Sequence, residues 1–165
     1  MSNKLLTIVR HAKSSWEHDV TDKERPLAKR GIKDANLISR YLFKNGVIIP
    51  ETVFSSPANR ALTTCKIFME NFNFPLNKIR IEDELYDFSG DSVIKFITSL
   101  NNNYDNVMIF GHNHAFTSIS NIFGDKFIDN LPTSGVVMIN FESDNWKNIE
   151  KGKTKLTLFP KQLKK

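Results

Sequence analysis

Three short stretches carry side chains able to do chemistry: Arg10 and His11 in "VRHAK", Ser55, Ser56 and Arg60 in "FSSPANRA", and His112, Asn113 and His114 in "FGHNH". Each follows an apolar run, where a buried strand would end. Arginine offers phosphate a planar fork of donors and keeps its charge at any working pH. An imidazole among cations is pushed toward its neutral form, which leaves one ring nitrogen free as a nucleophile near neutral pH. Two arginines and two histidines brought together would therefore hold a doubly charged oxyanion, phosphate above all, with His11 able to attack phosphorus.

The elements that must position these groups follow from periodicity. Leu5, Leu6, Ile8 and Val9 form an apolar run that reads as a buried strand, and the polar stretch 13–26 reads as a loop. Ile32, Ala35, Ile38 and Leu42 recur at helical spacing, with Gly46 placed to end that helix. A strand at 52–55 leads into a helix with Ser56 as N-cap and Pro57 as its first residue. Ala61, Cys65, Phe68 and Phe72 make its apolar stripe. "KIRIE" reads as a strand, and Asp91 as the cap of a helix burying Val93, Phe96, Ile97 and Leu100. "NVMIFG" is a further strand, and Gly124 stops the helix after it. "GVVMINF" and "TKLTLF" read as a terminal β pair at the sheet edge, an antiparallel arrangement being one option.

Strands alternating with helices predict a single-domain three-layer α/β/α sandwich with a mostly parallel central sheet, spanning residues 1–160 before a basic tail at 161–165. In such sheets ligands bind beyond the carboxyl ends of the strands, which is where the three stretches lie.

Composition narrows the function classes. A chain of 165 residues fits one domain, and its 40% hydrophobic and 25% charged residues are ordinary for a globular protein. No apolar run approaches the roughly 20 residues of a membrane span, and no signal-peptide core is present, so a soluble cytoplasmic protein with no membrane partner is expected. The single cysteine, Cys65, excludes an intrachain disulfide and a thiolate metal cluster. The net charge of +5 owes much to Lys151, Lys153, Lys155, Lys161, Lys164 and Lys165, read as a solvated tail. A nucleic-acid surface would pair such residues with stacking aromatics, so no nucleic-acid partner is expected. No histidine pair has i, i+4 spacing and neighbouring arginines would repel a cation, so neither metal nor cofactor is expected.

"VRHAK" resembles the "RHG" signature of the histidine phosphatase (phosphoglycerate mutase-like) superfamily, with Ala12 in place of glycine. "SSPANRALTT" resembles its second motif and "FGHN" its third, in the same order and spacing. "ERPLAKRG" and "DNWKNI" are similar to segments of the SixA-like phosphohistidine phosphatase branch, a likeness that covers nearly the whole chain. The resemblance implies a phosphoglycerate mutase-like fold and a metal-independent phosphatase acting through a phosphohistidine intermediate on the phosphohistidine of a signalling protein. It makes His11 the nucleophile, has Arg10 and Arg60 hold the phosphoryl oxygens, and has His112 stabilise transition-state charge. Asn113 is assigned to substrate binding. Arg25 is read either as a phosphate or substrate contact or as a surface or helix-capping charge, and Ser134 as a substrate donor or a turn hydrogen bond. The alternatives are a phosphatase of small phosphate esters and a non-catalytic phosphate-binding or interaction module.

Larger members of the superfamily place a carboxylic acid between the second and third motifs. Here Glu84 is the candidate proton donor, with Asp83 and Asp87 behind it, or a plain surface carboxylate. An alcohol leaves badly unless protonated, whereas an imidazole with a pKa near ~6.5 leaves with less help, so a weak acid favours a phosphohistidine substrate. Ala12 is costly only if its φ must be positive, and ordinary geometry is expected. Trp16 and Tyr86 are read equally as the mouth of the site or as packing. His18 reads as a charged-loop residue with no chemical role, and His114 as a helix cap or exposed in preference to a substrate contact.

Overall fold

In the computed structural model, which describes residues 2–164, the chain builds its sheet around β1 (Asn3–Arg10). The other strands are β2 (Thr52–Ser55), β3 (Arg80–Ile81), β4 (Asn106–Gly111), β5 (Val136–Glu142) and β6 (Lys153–Leu158). The helices are α1 (Lys29–Lys44), α2 (Asn59–Asn71), α3 (Asp91–Thr98), α4 (Ala115–Phe123) and the short α5 (Pro160–Leu163). The sheet order is β3-β2-β4-β1-β5-β6. Its first four strands are parallel, while β5 runs antiparallel to β1 and β6 antiparallel to β5. The terminal pair is therefore antiparallel and at the edge.

Period-two alternation divides the core between the two faces. Leu6 and Ile8 of β1, with Val107 and Ile109 of β4, pack into one cluster with Val93 and Ile97 of α3 and Phe116 and Ile119 of α4. Val9, Met108 and Phe110 point the other way, into a cluster with Ala35, Ile38 and Leu42 of α1 and Cys65, Phe68 and Met69 of α2. Both faces being covered explains why β4 is buried along its whole length.

Several local expectations need correction. Ile32 is exposed, and α1 turns Gly31, Asp34, Ala35, Ile38, Ser39 and Leu42 inward instead. The reason is Gly31, whose backbone lies so close to Lys13 that a β-carbon would come 2.1 Å from the Lys13 carbonyl oxygen. Ser56 does not cap α2, which begins at Asn59 after Ala58; the Ser56 amide instead extends the ladder by donating to the Phe110 carbonyl at 2.9 Å. Asp91 is the first residue of α3 and does not cap it: the Asp87 carboxylate accepts from the Gly90 and Val93 amides at 3.0 and 3.1 Å. Phe96 is only partly buried, and "KIRIE" contributes just two strand residues. Gly46, at φ 79°, follows the end of α1 as expected, and Gly124 follows α4.

The basic C-terminal end is tied down in part. Residues 160–163 form α5, and Lys164 Nζ lies 2.7 Å from the buried Asp34 carboxylate of α1. Lys151 Nζ donates to the Asn121 and Gly124 carbonyls, both at 2.9 Å. Lys165 lies outside the described residues. Among the described residues no helix is long and apolar enough to cross a membrane.

Candidate active site

The parallel register sets Arg10 beside Gly111, so the residues that follow, His11 and His112, emerge together at the carboxyl edge of the sheet. The His11 amide donates to the Gly111 carbonyl at 3.0 Å, and the Ala12 amide donates to Thr64 Oγ1 at 2.9 Å. His11 Nδ1 lies 2.7 Å from the Ala12 carbonyl oxygen. A carbonyl can only accept, so Nδ1 carries the proton and Nε2 keeps its lone pair. Ala12 is not among the described residues with positive φ, and its methyl packs with Val9 and Leu27. Alanine is therefore unstrained there.

Three guanidinium groups gather on the same cavity, which measures about 310 Å³. Arg10 Nη1 donates to the Leu131 carbonyl at 2.8 Å. Arg60 spans Asp22, with Nη1 on its carbonyl at 2.6 Å and Nη2 on Oδ2 at 3.0 Å. Arg25 Nη1 bonds Ser14 Oγ, and its guanidinium lies 3.5 Å over the Trp16 ring. The buried Nε atoms of all three arginines lack a hydrogen-bond partner.

His112 sits behind this cavity, fully buried, its ring 5.3 Å from that of His11 and 4.9 Å from that of Phe88. Ser56 Oγ lies 2.8 Å from His112 Nε2 and also accepts the Ala58 amide at 3.2 Å. If the Ser56 hydroxyl donates to Nε2, only Nδ1–H lacks a partner; the reverse assignment orphans both the hydroxyl proton and Nδ1. The first is preferred, and it makes His112 Nδ1 a donor. Burial drives the His11 pKa down to about 3, opposed by the Ala12 carbonyl and reinforced by Arg60, Arg10 and Arg25. Burial also takes His112 to about 3, helped by His11 and Arg60 and opposed by Asp22. Both rings are neutral at physiological pH, as a nucleophile requires.

The remaining expected residues divide. Arg25 is buried and lines the cavity, which favours the contact reading. Asn113 lines it too, but its Oδ1 accepts from the Thr117 amide and hydroxyl at 3.0 and 2.6 Å, capping α4. Ser134 is fully buried at φ 60°, its amide donating to the Arg10 and His11 carbonyls, and it braces the end of β1 from outside the cavity lining. Glu84 is exposed and is absent from the lining. Asp87 is engaged in capping α3. Trp16 is 79% exposed at the mouth, and His18 and His114 are exposed.

The carboxylate that does reach the cavity, Asp22, was hidden in the loop "TDKERP" and had no motif to mark it beyond standing three residues before Arg25. Burial alone would raise its pKa. The hydrogen bond from Tyr86 Oη at 2.6 Å and the Arg60 guanidinium outweigh burial and hold it below the usual carboxylate range. Asp22 is thus an ionised acceptor, unsuited to donating a proton. Ser56 and Thr64 both lie within "SSPANRALTT", but nothing in that stretch marks their hydrogen bonds to His112 and Ala12.

A family model described as the histidine phosphatase superfamily (branch 1) matches residues 6–93. An uncharacterized protein of Mycobacterium leprae is 27% identical over 164 residues, covering 92% of this chain and 98% of that protein. Among solved structures, the protein histidine phosphatase SixA complexed with tungstate superposes with a TM-score of 0.80 at 22% identity, over 97% of this chain and 99% of that one. The native structure of mycobacterial glucosyl-3-phosphoglycerate phosphatase gives 0.68 at 10% identity, over 93% and 98%. Both structural likenesses concern the fold.

Proposed function

We propose that this chain, which belongs to the histidine phosphatase superfamily, hydrolyses phosphorylated histidine on a protein through a phosphohistidine formed on its own His11. The observation that carries the reading is the hydrogen bond from His11 Nδ1 to the Ala12 carbonyl, because it leaves a neutral Nε2 with a lone pair beside three guanidinium groups.

The Nε2 lone pair attacks phosphorus in line as the bond to the leaving group breaks. The guanidinium groups of Arg10, Arg25 and Arg60 hold the phosphoryl oxygens, and His112 Nδ1–H donates to the same group as its charge shifts. The phosphorylated His11 ring is cationic, with Nδ1–H still on the Ala12 carbonyl. Water then attacks phosphorus, Nε2 recovers its electron pair, and the proton from water goes to the released phosphate. A metal is not required for this scheme, since fixed cations already line the cavity that takes the phosphoryl group.

The substrate follows from the leaving group. Asp22, the carboxylate of the cavity, is held ionised, so a group that departs without a donated proton is favoured, and imidazole is such a group. Brief mixing with radiolabelled phosphohistidine protein should trap an acid-labile, alkali-stable phosphoenzyme that His11→Ala lacks, with turnover persisting in excess chelator. Activity of His11→Ala near that of the parent would remove His11 as nucleophile, and preference for sugar or nucleotide phosphates in a substrate panel would replace the phosphohistidine reading by the small-ester one.

A further inference from the structure

Among the described residues Asp22 is the only carboxylate lining the cavity, and its two oxygens are unequally used. Oδ2 is doubly occupied, by Tyr86 Oη at 2.6 Å and Arg60 Nη2 at 3.0 Å. Oδ1 meets only Arg25 Nη2, at a distant 3.5 Å, so it retains lone pairs for an incoming donor. The side chain is 47% exposed, open to whatever enters the cavity. Trp16 and Phe88 line the same space with flat aromatic faces.

Resting on the phosphatase reading above, we propose that Asp22 is the specificity-determining residue for the leaving group: its carboxylate accepts the ring N–H of a cationic, N-phosphorylated imidazole, selecting ring-protonated phosphohistidine over phosphate esters. In that form the imidazole bears phosphorus on one nitrogen and a proton on the other. When His11 Nε2 bonds to phosphorus, the phosphorus–nitrogen bond of the substrate breaks, its electron pair returns to the ring, and neutral imidazole departs with its N–H intact. Asp22 neither gives nor takes a proton; it stabilises the charged substrate from which the neutral group leaves. The enzyme's own phosphohistidine is held in the same way on the other side of the reaction, its Nδ1–H on the Ala12 carbonyl. An ester offers no N–H, and the negative charge that grows on its leaving oxygen meets a fixed carboxylate.

The alternative is that Asp22 only holds Arg60, which would weaken every substrate alike. Asp22→Asn separates the two, since it keeps an acceptor for Arg60 and removes the charge. The ratio of kcat/KM for phosphoimidazole to that for p-nitrophenyl phosphate is expected to fall about tenfold, the scale of one charge-assisted hydrogen bond. Inhibition by imidazole near pH 6 should weaken by a similar factor, while inhibition by inorganic phosphate should not weaken. An unchanged ratio, or equal losses on both substrates, overturns the role of Asp22. Should Asp22→Asn fold poorly, Tyr86→Phe keeps the charge and removes only a hydrogen bond; it should preserve the ratio, and a tenfold fall there would also overturn the proposal. If the parent protein hydrolyses esters but not phosphoimidazole or phosphohistidine protein, the phosphohistidine reading itself fails.

Discussion

Ser56 Oγ joins His112 Nε2 at 2.8 Å while accepting the Ala58 amide at 3.2 Å, so a hydroxyl at the end of β2 sets the tautomer of a histidine at the end of β4. Removing it leaves both nitrogens of a fully buried ring without protein partners. Ser56→Ala is expected to lower kcat by about tenfold, since an unsatisfied buried group costs roughly 1–3 kcal/mol, with a smaller change in KM. Steady-state kinetics on p-nitrophenyl phosphate would show it, and a rise confined to KM would count against this role for Ser56.

His11 and His112 each have a folded pKa of about 3 against an ordinary 6.5. Between those values the unfolded chain binds protons that the folded one refuses. Stability should therefore rise with pH from about 3 to about 6.5, level off above, and be lost as pH falls through that window, with a slope of up to about 1.4 kcal/mol per pH unit for each histidine. Urea unfolding across pH 4.5–7.5 tests this, and His11→Asn should flatten the profile. Stability independent of pH over that range would contradict two buried neutral rings.

Gly31→Ala sets two effects against each other. Alanine gains about 1 kcal/mol of helix propensity, but its methyl would come 2.1 Å from the Lys13 carbonyl oxygen, and that neighbour is backbone two residues beyond His11. Overpacking costs about 1–3 kcal/mol, more when the obstacle cannot rotate away, so the clash wins. Lower stability in denaturant and a higher KM are expected; a stabilised variant would show that the loop yields freely.

Asp87 accepts from the amides of Ser89, Gly90 and Val93 at 3.0 to 3.1 Å. Asp87→Ala should cost about 1–2 kcal/mol as a lost N-cap, lowering the melting temperature by several degrees. Asp91→Ala removes only a first-turn charge and should cost about 0.3–1 kcal/mol. Equal losses in thermal melts of the two variants would refute this division of labour.

Where the chain's own pattern is strongly periodic, the reading of it holds. The apolar run of β4, Leu6, Ile8 and Val9 of β1 and the helical stripes of Ala35, Ile38 and Leu42 and of Cys65, Phe68 and Phe72 are buried as expected, while Leu5 is only half-buried. The ends of β1, β2 and β4 do deliver Arg10 and His11, Ser56 and Arg60, and His112 to one edge. Misreadings fall where a single contact overrides the pattern. Ile32 has the right spacing, yet the approach of Gly31 to Lys13 rotates it outward. Ser56 looks like a cap, yet it bonds His112.

Periodicity alone fixed the mostly parallel core and a terminal β pair of open direction, and the residue types after each strand fixed which arginines and histidines reach the sheet edge, because these depend on local pattern. Tertiary structure alone decided which atoms meet. The lone pair on His11 Nε2 depends on the Ala12 carbonyl, and the donor on His112 depends on a residue 56 positions away. That Asp22 lines the cavity while Glu84 stays outside it depends on how the loop before α1 folds onto Arg60 and Tyr86. Such pairings rest on strand register and loop packing across distant segments, and a linear pattern of residue types carries no record of them.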